Sequence, residues 1–506
     1  MLAVRKPLKW MYHEFGVSSV YASGSDTWLV ILARTCRMFA FGAISLIIAL
    51  FMASLHVSDF KIGLFMTLTL VGDVILSLSI ALVADKIGRR LVLFSGGCLM
   101  IFSGLIFWAF ENYWVLLFGA VVGVVSATGG DLGPFRSVEE STLSHLTTPK
   151  TRSDVMSWYV TTSTLGSAVG TAISGQIINF LRKDKSRSAT DAYHLMFWAY
   201  IVMGAMTMTC TGLMSRRCEA DNLKPKPALA DEAEMGLLQD DAANEPHIEL
   251  QPGDDGTSRL STGTSQDGHA SAHGLPSARS SVLWSQFMRL WHSSKFARIS
   301  PASRSIVYQL WILLTVDALA DGMVSYALTN YYLARKFDLS EGYLGGIMST
   351  SYLLMAVSTV FAGPLAKRLG LINTMVFTHI PSSAAVLLFP IPQSIALSIV
   401  LLYIRTGLNN MDQGPRAAFI AAVVKPNERT AIMGITGTLR TLASTVGPSL
   451  TGFLAGTDRF WIAFAIAGAL RLGYDLGLWY LFVGLDLAAL EAANAEPDRD
   501  GESVEA

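Results

Sequence analysis

Long apolar stretches, separated by short polar connections, run through most of the chain. Twelve of them are long enough to cross the hydrocarbon core of a bilayer, which takes about 20 residues of α-helix. They cover residues 28–54, 60–84, 91–110, 115–143, 155–180, 193–214, 305–334, 341–364, 372–391, 396–422, 431–455 and 459–483. The fourth and tenth stretches also contain many polar residues. This pattern predicts an all-α polytopic membrane protein with twelve transmembrane helices.

Basic residues are concentrated before the first helix and in alternate connections. They are Arg5, Lys6, Lys9, Lys86, Arg89, Arg90, Lys150, Arg152, Lys367, Arg368, Lys425 and Arg429. Because Lys and Arg are retained on the cytoplasmic side, the N-terminal segment 1–27 and the acidic tail 484–506 are both predicted to be cytoplasmic. One connection disagrees, since Arg182, Lys183, Lys185 and Arg187 would lie outside. The orientation rests on the other connections.

The connection over residues 215–304 separates a six-helix bundle at 28–214 from a second at 305–483. It begins with acidic residues, and its middle is too poor in large apolar residues to fold, which predicts a disordered cytoplasmic linker. Near 282–298 the apolar spacing changes to i, i+3, i+4, i+7, with Trp284, Phe287, Met288 and Trp291. This spacing predicts an amphipathic helix, either on the inner leaflet or capping the cytoplasmic face of the bundle.

The composition agrees with a membrane protein and reduces the number of function classes to consider. Of 506 residues, 51% are hydrophobic and 15% charged, and the mean hydropathy is +0.43. The net charge of −1 gives no reason to expect a nucleic-acid partner. The four cysteines lack metal or disulfide spacing. Neither a nucleotide-binding motif nor a nucleophile–base constellation is present, so we predict neither an enzyme nor a cofactor.

The two halves repeat each other at an offset of about 280 residues. Residues 57–67 align with 339–349, and Gly88 aligns with Gly370. Farther on, five residues recur with identical spacing: Pro149, Arg152, Met156, Gly170 and Gly175 align with Pro426, Arg429, Met433, Gly447 and Gly452. Two six-helix halves in the same orientation imply a pseudo-twofold axis along the membrane normal, with a cavity between the halves.

The connection between the second and third helices, Ala81–Arg90, reads ALVADKIGRR. It resembles the Gly-x-x-x-Asp-Arg-x-Gly-Arg-Arg motif of the major facilitator superfamily, with Ala81 where Gly is usual. The resemblance extends over essentially the whole membrane region. It implies that this connection joins the halves on the cytoplasmic side during alternating access. The residues assigned to gating are Asp85, Lys86, Gly88, Arg89, Arg90 and Arg152.

The fifth helix carries small residues from Gly166 to Gly175, similar to a motif of antiporters in this superfamily. Thr171 replaces the Pro of that motif and Ser174 replaces a Gly. The resemblance favours export, whereas the alternative is close helix packing, which small residues permit in any bundle. Both interpretations stay open.

Charged and polar residues inside the predicted helices mark the candidate site, because a charge at the bilayer centre costs on the order of 3 kcal/mol. In this superfamily the first, fourth, seventh and tenth helices line the cavity. The candidates are Arg37, Asp73, Asp131, Arg136, Glu139, Glu140, Asp317, Asp321, Arg405, Asn409, Asp412 and Arg416.

Several of these charges have a structural interpretation. Arg34 lies near the cytoplasmic end of its helix and is expected to snorkel, while Arg37 is deeper and could serve the cavity or the bundle. Asp131 and Asp412 each precede a Gly-Pro step, where they could satisfy a broken helix rather than bind cargo.

Acidic residues next to cations suggest gates, and close acidic pairs suggest proton carriers. Glu139 and Glu140 are predicted to form gating ion pairs with Arg37, Arg136 or Arg152. Asp317 and Asp321 are four residues apart on one helix face, and two close carboxylates resist double ionisation, so this pair is the first candidate for coupling and Asp73 the second. Arg471 and Asp475 are expected to neutralise each other on a peripheral helix.

The sequence therefore predicts a secondary transporter of a small organic solute, coupled to protons and favouring export. An uptake symporter of a polar metabolite and a non-transporting sensor of the same fold are the alternatives. We expect a monomer that binds a small-molecule substrate, protons and the lipid bilayer. The plasma membrane is the expected location, with a vacuolar or other internal membrane as the alternative.

Overall fold

A computed structural model of the chain describes residues 17–123, 125, 135–148, 151–183, 188–219, 301–424 and 429–485. The predicted linker beyond Glu219, the amphipathic segment 282–298 and the acidic tail beyond Leu485 lie outside these residues. So does Asp131. Within helices, the side chains of Asp85 and Lys86 are also outside the description.

Within the described residues, the N-terminal half contains eight helices, α1 to α8, and a short 3₁₀ turn. Their bounds are α1 Val17–Ala22, α2 Ser25–Ser54, α3 Asp59–Ile87, α4 Arg89–Ala109, α5 Tyr113–Val122, α6 Phe135–Leu146, α7 Arg152–Arg182 and α8 Ala189–Leu213, followed by the turn Arg216–Cys218.

The C-terminal half contains eight further helices in the described ranges. Their bounds are α9 Pro301–Met323, α10 Tyr326–Phe337, α11 Glu341–Leu369, α12 Leu371–Leu388, α13 Ile395–Asn409, α14 Gln413–Val423, α15 Arg429–Gly456 and α16 Phe460–Phe482.

The predicted all-α membrane architecture is confirmed. Eight of the described helices are both long enough and apolar enough to cross a membrane: α2, α3, α4, α8, α9, α11, α12 and α16. The helices α7 and α15 are also long, with 31 and 28 residues, but are more polar. Both pack between the two halves, α7 against α2 and α11, and α15 against α3 and α9, so less of their surface needs to be apolar.

Two predicted spans are each divided into two helices, the seventh into α9 and α10 and the tenth into α13 and α14. The fourth is described at its two ends, as α5 and α6, and residues 126–134 between them lie outside the described residues. The break in the seventh was not expected, because its apolar pattern is continuous. It frees the carbonyl of Val324, which accepts hydrogen bonds from the guanidinium of Arg405 and from the hydroxyl of Thr329. Arg405 on α13 thus replaces the missing helical hydrogen bonds.

The repeat in the sequence corresponds to a repeat in backbone conformation. Gly88 separates α3 from α4 with φ +114°, and Gly370 separates α11 from α12 with φ +85°. Only glycine adopts such values without strain, so each glycine allows one helix to end and the next to begin at once. The predicted equivalence of Gly88 and Gly370 is therefore a shared turn.

Candidate functional site

The two halves touch at one end of the bundle and separate at the other. We call these the Asp59 end, where α2 ends and α3 begins, and the Gly88 end, where α3 ends. On α15, Gly452 packs so closely on α3 that a Cβ there would lie 2.6 Å from the Asp59 carbonyl oxygen. Gly434 lies five turns earlier on the same helix face, and a Cβ there would meet nothing within 4 Å.

The same relationship holds across the pseudo-twofold axis. On α11, a Cβ on Gly345 would lie 2.8 Å from the Thr171 carbonyl oxygen of α7. Gly363 is again five turns away on the same face, and a Cβ there would meet nothing within 4 Å. Among the described residues, the two halves therefore border a cleft that is closed at the Asp59 end and open at the Gly88 end.

Two acidic residues hold the closed end together. Glu341 of α11 accepts hydrogen bonds from Arg182 at 2.5 Å and from the Tyr193 hydroxyl at 2.7 Å, both in the N-terminal half. Asp59 of α3 accepts from Arg335 at 2.7 Å and from the Tyr331 hydroxyl at 2.6 Å, both in the C-terminal half. Each acid thus binds a cation and a tyrosine of the opposite half.

A buried charged cluster occupies the N-terminal half, centred on Glu139. This carboxylate bonds to Arg37, lies 3.5 Å from Arg34 and accepts the Tyr159 hydroxyl at 2.8 Å. Arg37 and Glu139 are 3% and 1% exposed. Since breaking one partner of such a cluster leaves uncompensated buried charge, the cluster fixes α2, α6 and α7 relative to one another.

The expectation that Arg34 snorkels is wrong. Arg34 is 1% exposed, contacts Glu139 and the Ser163 hydroxyl, and lies 5.1 Å from the centre of the Tyr159 ring. Helix periodicity locates a residue along its own helix but does not reveal a counter-ion on another. Arg136 and Glu140 form a separate, half-exposed pair at 2.7 Å.

The charged cluster of the C-terminal half is larger and centres on His379 of α12. Its Nδ1 lies 2.6 Å from Asp475 and its Nε2 lies 2.7 Å from Arg471, both on α16. Its Nε2 is also 3.8 Å from Asp317 on α9. Ser383, one turn along α12, donates a hydrogen bond to the other Asp475 oxygen at 2.6 Å.

The prediction that Arg471 and Asp475 neutralise each other on a peripheral helix is therefore wrong. Arg471 is fully buried and bonds to Asp321, Asn409 and His379, whereas Asp475 bonds to His379 and Ser383. The four-residue spacing was correct for one helix face, but that face points into the half rather than towards lipid.

Asp317 and Asp321 have different cationic partners. Asp321 is one-third exposed and bonds to Arg471. Asp317 is 1% exposed, and its contacts with basic groups within the described residues are two long approaches of 3.8 Å, an ion pair with Arg440 and a contact with Nε2 of His379, which is an ion pair only when the imidazole is protonated. No hydrogen bond reaches its Oδ1 from the described residues.

Other predicted site residues serve the framework. Arg405 bonds to Val324 and donates to Thr329 at 2.9 Å. Asp412 and Arg416 pair at 2.9 Å, one turn apart beside the break between α13 and α14. This position is consistent with the predicted role of Asp412 in supporting a broken helix.

Asp73 stands apart from both clusters. It is 5% exposed on α3 and has no ion pair with any described residue. Its Oδ1 accepts no hydrogen bond from the part of the chain that the structure describes.

The predicted gating connection contacts its own half in the described structure. The backbone N–H of Arg89 donates to the Glu219 carboxylate at 2.8 Å, and Arg90 reaches the Gly212 carbonyl at 3.4 Å. Arg152 donates to the Ser144 carbonyl at 3.0 Å. Glu219 thereby caps the N-terminus of α4, where a negative charge is stabilising.

The antiporter-like stretch of α7 lies at helix crossings. A Cβ on Gly166 would lie 2.7 Å from the Thr35 carbonyl oxygen of α2, and one on Gly175 would lie 2.5 Å from the Glu341 carbonyl oxygen of α11. These contacts account for the small residues by packing.

A separate pocket of about 790 Å³ lies at the Asp59 end within the C-terminal half. Its cations are engaged: Lys336 donates to the Pro390 and Pro392 carbonyls at 2.7 Å, and Arg335 bonds to Asp59 and Asp458. The pocket is remote from the two charged clusters.

Several residues of the site were not among the predicted site residues, and His379, Arg440, Glu219 and Glu341 are four of them. A histidine in the middle of a predicted apolar helix was a visible signal for His379. Glu341 was visible as the equivalent of Asp59 in the repeat. The roles of Arg440 and Glu219 depend on contacts between distant parts of the chain.

Comparison with known proteins identifies the family to which this architecture belongs. The family model described as Major Facilitator Superfamily matches residues 30–292 and 310–502. An uncharacterized membrane protein of Saccharomyces cerevisiae, YJR124C, is 30% identical over 453 residues, which cover 89% of this chain and 92% of the yeast protein.

Solved structures share the fold at low identity. The xylose transporter XylE from E. coli, in an inward open conformation, superimposes with a TM-score of 0.62 at 12% identity, over 92% of this chain and 98% of XylE. The nucleoside transporter NupG gives 0.60 at 11% identity, over 91% and 99%. At these identities the likeness concerns the fold alone. Together with the family match over most of the sequence, it shows that this chain is a multi-pass membrane transporter belonging to the major facilitator superfamily.

Proposed function

We propose that the protein carries a small organic solute across the membrane by alternating access, coupled to protons. The observation that carries this proposal is the cleft, which is closed at the Asp59 end and open at the Gly88 end, with buried charged clusters in both halves. A transporter must expose one site to each side in turn, and a closed and an open end are what one step of that cycle requires.

The orientation follows the distribution of basic residues. With both termini in the cytoplasm, the open Gly88 end faces the cytoplasm. Asp85 and the basic residues after it then act as the cytoplasmic gate when the cleft closes there. The protein works as a monomer in the plasma membrane.

Proton coupling is assigned to Asp317 and Asp321, with Asp73 as the second candidate. Asp317 supports this role because it is buried and its ion-pair contacts are both long, so protonation would break no hydrogen bond at Oδ1. Asp321 supports it because it is one-third exposed while it bonds to Arg471. Export is favoured by the antiporter-like motif alone, whose glycines also have a packing role.

The test is flux in proteoliposomes with an imposed pH gradient and a panel of metabolites. We expect gradient-dependent flux of at least one solute in the native protein. The double variant D317N/D321N should lose the dependence on the gradient and keep exchange. The matched control is D338N, because Asp338 is exposed and belongs neither to the charged clusters nor to the contacts of the closed end. Binding of a ligand without flux would favour the sensor alternative, and unaltered coupling in D317N/D321N would remove these residues from the mechanism.

A further inference from the structure

Arg440 of α15 is a cation in the membrane region without a hydrogen-bonded acceptor among the described residues. Its contact is the 3.8 Å approach to Asp317, and its buried Nε has no hydrogen bond. A guanidinium carries five N–H donors and cannot shed its charge, so it needs acceptors. Arg440 lies about 16 Å along α15 from Arg429, near the middle of the helix.

The buried arginines of the C-terminal half have better acceptors. Arg471 bonds to Asp321 and Asn409, Arg416 pairs with Asp412 at 2.9 Å, and Arg405 bonds to the Val324 carbonyl and the Thr329 hydroxyl. Asp475 is taken by His379 and Ser383. Arg440 has Asp317 as its nearest carboxylate, and His379 approaches the same carboxylate.

Arg440 also borders the cleft. Its side chain is 32% exposed. Met433, two turns earlier on the same side of α15, is 38% exposed, and Gly437 between them is exposed with nothing within 4 Å of its would-be Cβ. Toward the Asp59 end, α15 is covered by α3 of the other half, as the close packing at Gly452 shows. The exposed part of Arg440 is therefore open to the cleft.

We infer that Arg440 is the binding site for an oxyanion group of the transported solute, a carboxylate or a phosphate. This inference rests on the proposed function, because it gives the chemical class of the solute. The guanidinium offers two parallel N–H donors to such a group. Asp317 competes for the same cation, so a solute anion displaces Asp317 from Arg440, and neutralising Asp317 favours the solute.

The surroundings of Asp317 bear on this competition. The charged and titratable groups around it are His379 on α12, Arg440 on α15, Arg471, Tyr474 and Asp475 on α16, Arg416 with its partner Asp412 on α14, and Asp321 on its own helix. Asp475, Asp321 and Asp412 each have a closer partner than Asp317 has.

The test measures binding to the purified full chain in detergent, at fixed ionic strength. The probes are succinate, citrate, benzoate and inorganic phosphate, with succinamide and benzamide as neutral counterparts. We expect at least one acid, and neither amide, to raise the melting temperature. R440Q should weaken that acid by about tenfold or more, because a charge-assisted contact is lost. R440K should be intermediate, and D317N should bind the acid more tightly at neutral pH.

The matched control is R459Q, which removes an exposed arginine at the closed end and should leave acid binding unchanged. If R440Q fails to fold, R440K and D317N decide the question. The inference would be overturned if R440K bound the acid as well as the native protein does and D317N had no effect. It would also be overturned if amides but no acids bound, or if no acid bound at all. Flux of a neutral solute without acid binding would overturn this inference and leave the proposed transport function intact. Acid binding without flux would support this inference and contradict the proposed transport function.

Discussion

Asp59 and Glu341 occupy equivalent positions at the starts of α3 and α11, and each binds the half to which it does not belong. Glu341 bonds to Arg182 and Tyr193, and Asp59 bonds to Arg335 and Tyr331. The internal repeat has thus produced two latches related by the pseudo-twofold axis. Opening the Asp59 end requires both to break.

Removing both latch charges should loosen the closed end. In D59N/E341Q each latch loses a charge-assisted hydrogen bond, a contact worth about 1.5–3 kcal/mol. Spin labels at Trp114 and Ile391, exposed residues of opposite halves near this end, would report the change in a background with Cys98 replaced by Ser. We expect a longer distance population in the double variant. D338N is the control, because Asp338 is an exposed acid of the C-terminal half that belongs to neither latch, and an unchanged distribution in D59N/E341Q would rule out the latch.

Glu139 and Glu140 are adjacent but should differ greatly in their effect on stability. E139Q leaves Arg34 and Arg37 without their buried counter-charge, which costs roughly 3–5 kcal/mol. E140Q breaks a half-exposed i, i+4 pair, worth about 0.3–0.5 kcal/mol. Thermal unfolding of the two purified variants would measure the difference. Equal melting temperatures would mean that the Glu139 cluster is not needed for folding.

The two glycines on one face of α15 should respond oppositely to a large side chain. G452L places a side chain against α3 and should lower the melting temperature. G434L meets open space in the present conformation and should fold normally. If the Gly88 end closes during transport, G434L should block flux while ligand binding is kept. Normal flux in G434L would show that this face never meets the other half.

The positions of the helices could be predicted from the sequence, because apolar periodicity and the conformational freedom of glycine depend on residues that are close together in the chain. Helix ends at Gly88 and Gly370 follow from one residue's freedom to adopt positive φ. The repeat likewise pointed to Asp59 and Glu341 as equivalents. Arg37 and Glu139 were expected at similar depths in the membrane, so their ion pair could also be proposed from their positions along the two helices.

The C-terminal cluster could not be derived in this way. His379 and Asp475 are far apart in the chain, and no periodicity connects the faces of α12 and α16. Judging Arg471 by the usual place of the last helix gave the wrong environment. The break after Met323 was hidden too, since it depends on Arg405 supplying a donor from another helix.

Glu219 has a consequence for the turn that it contacts. Its carboxylate is bonded to the N–H of Arg89 and lies beside Gly88, so the chain leaves the first half fastened to the turn between α3 and α4. A displacement of Glu219 would therefore act directly on that turn. The position of the chain at the end of the first half and the conformation of the α3–α4 turn are coupled through one carboxylate.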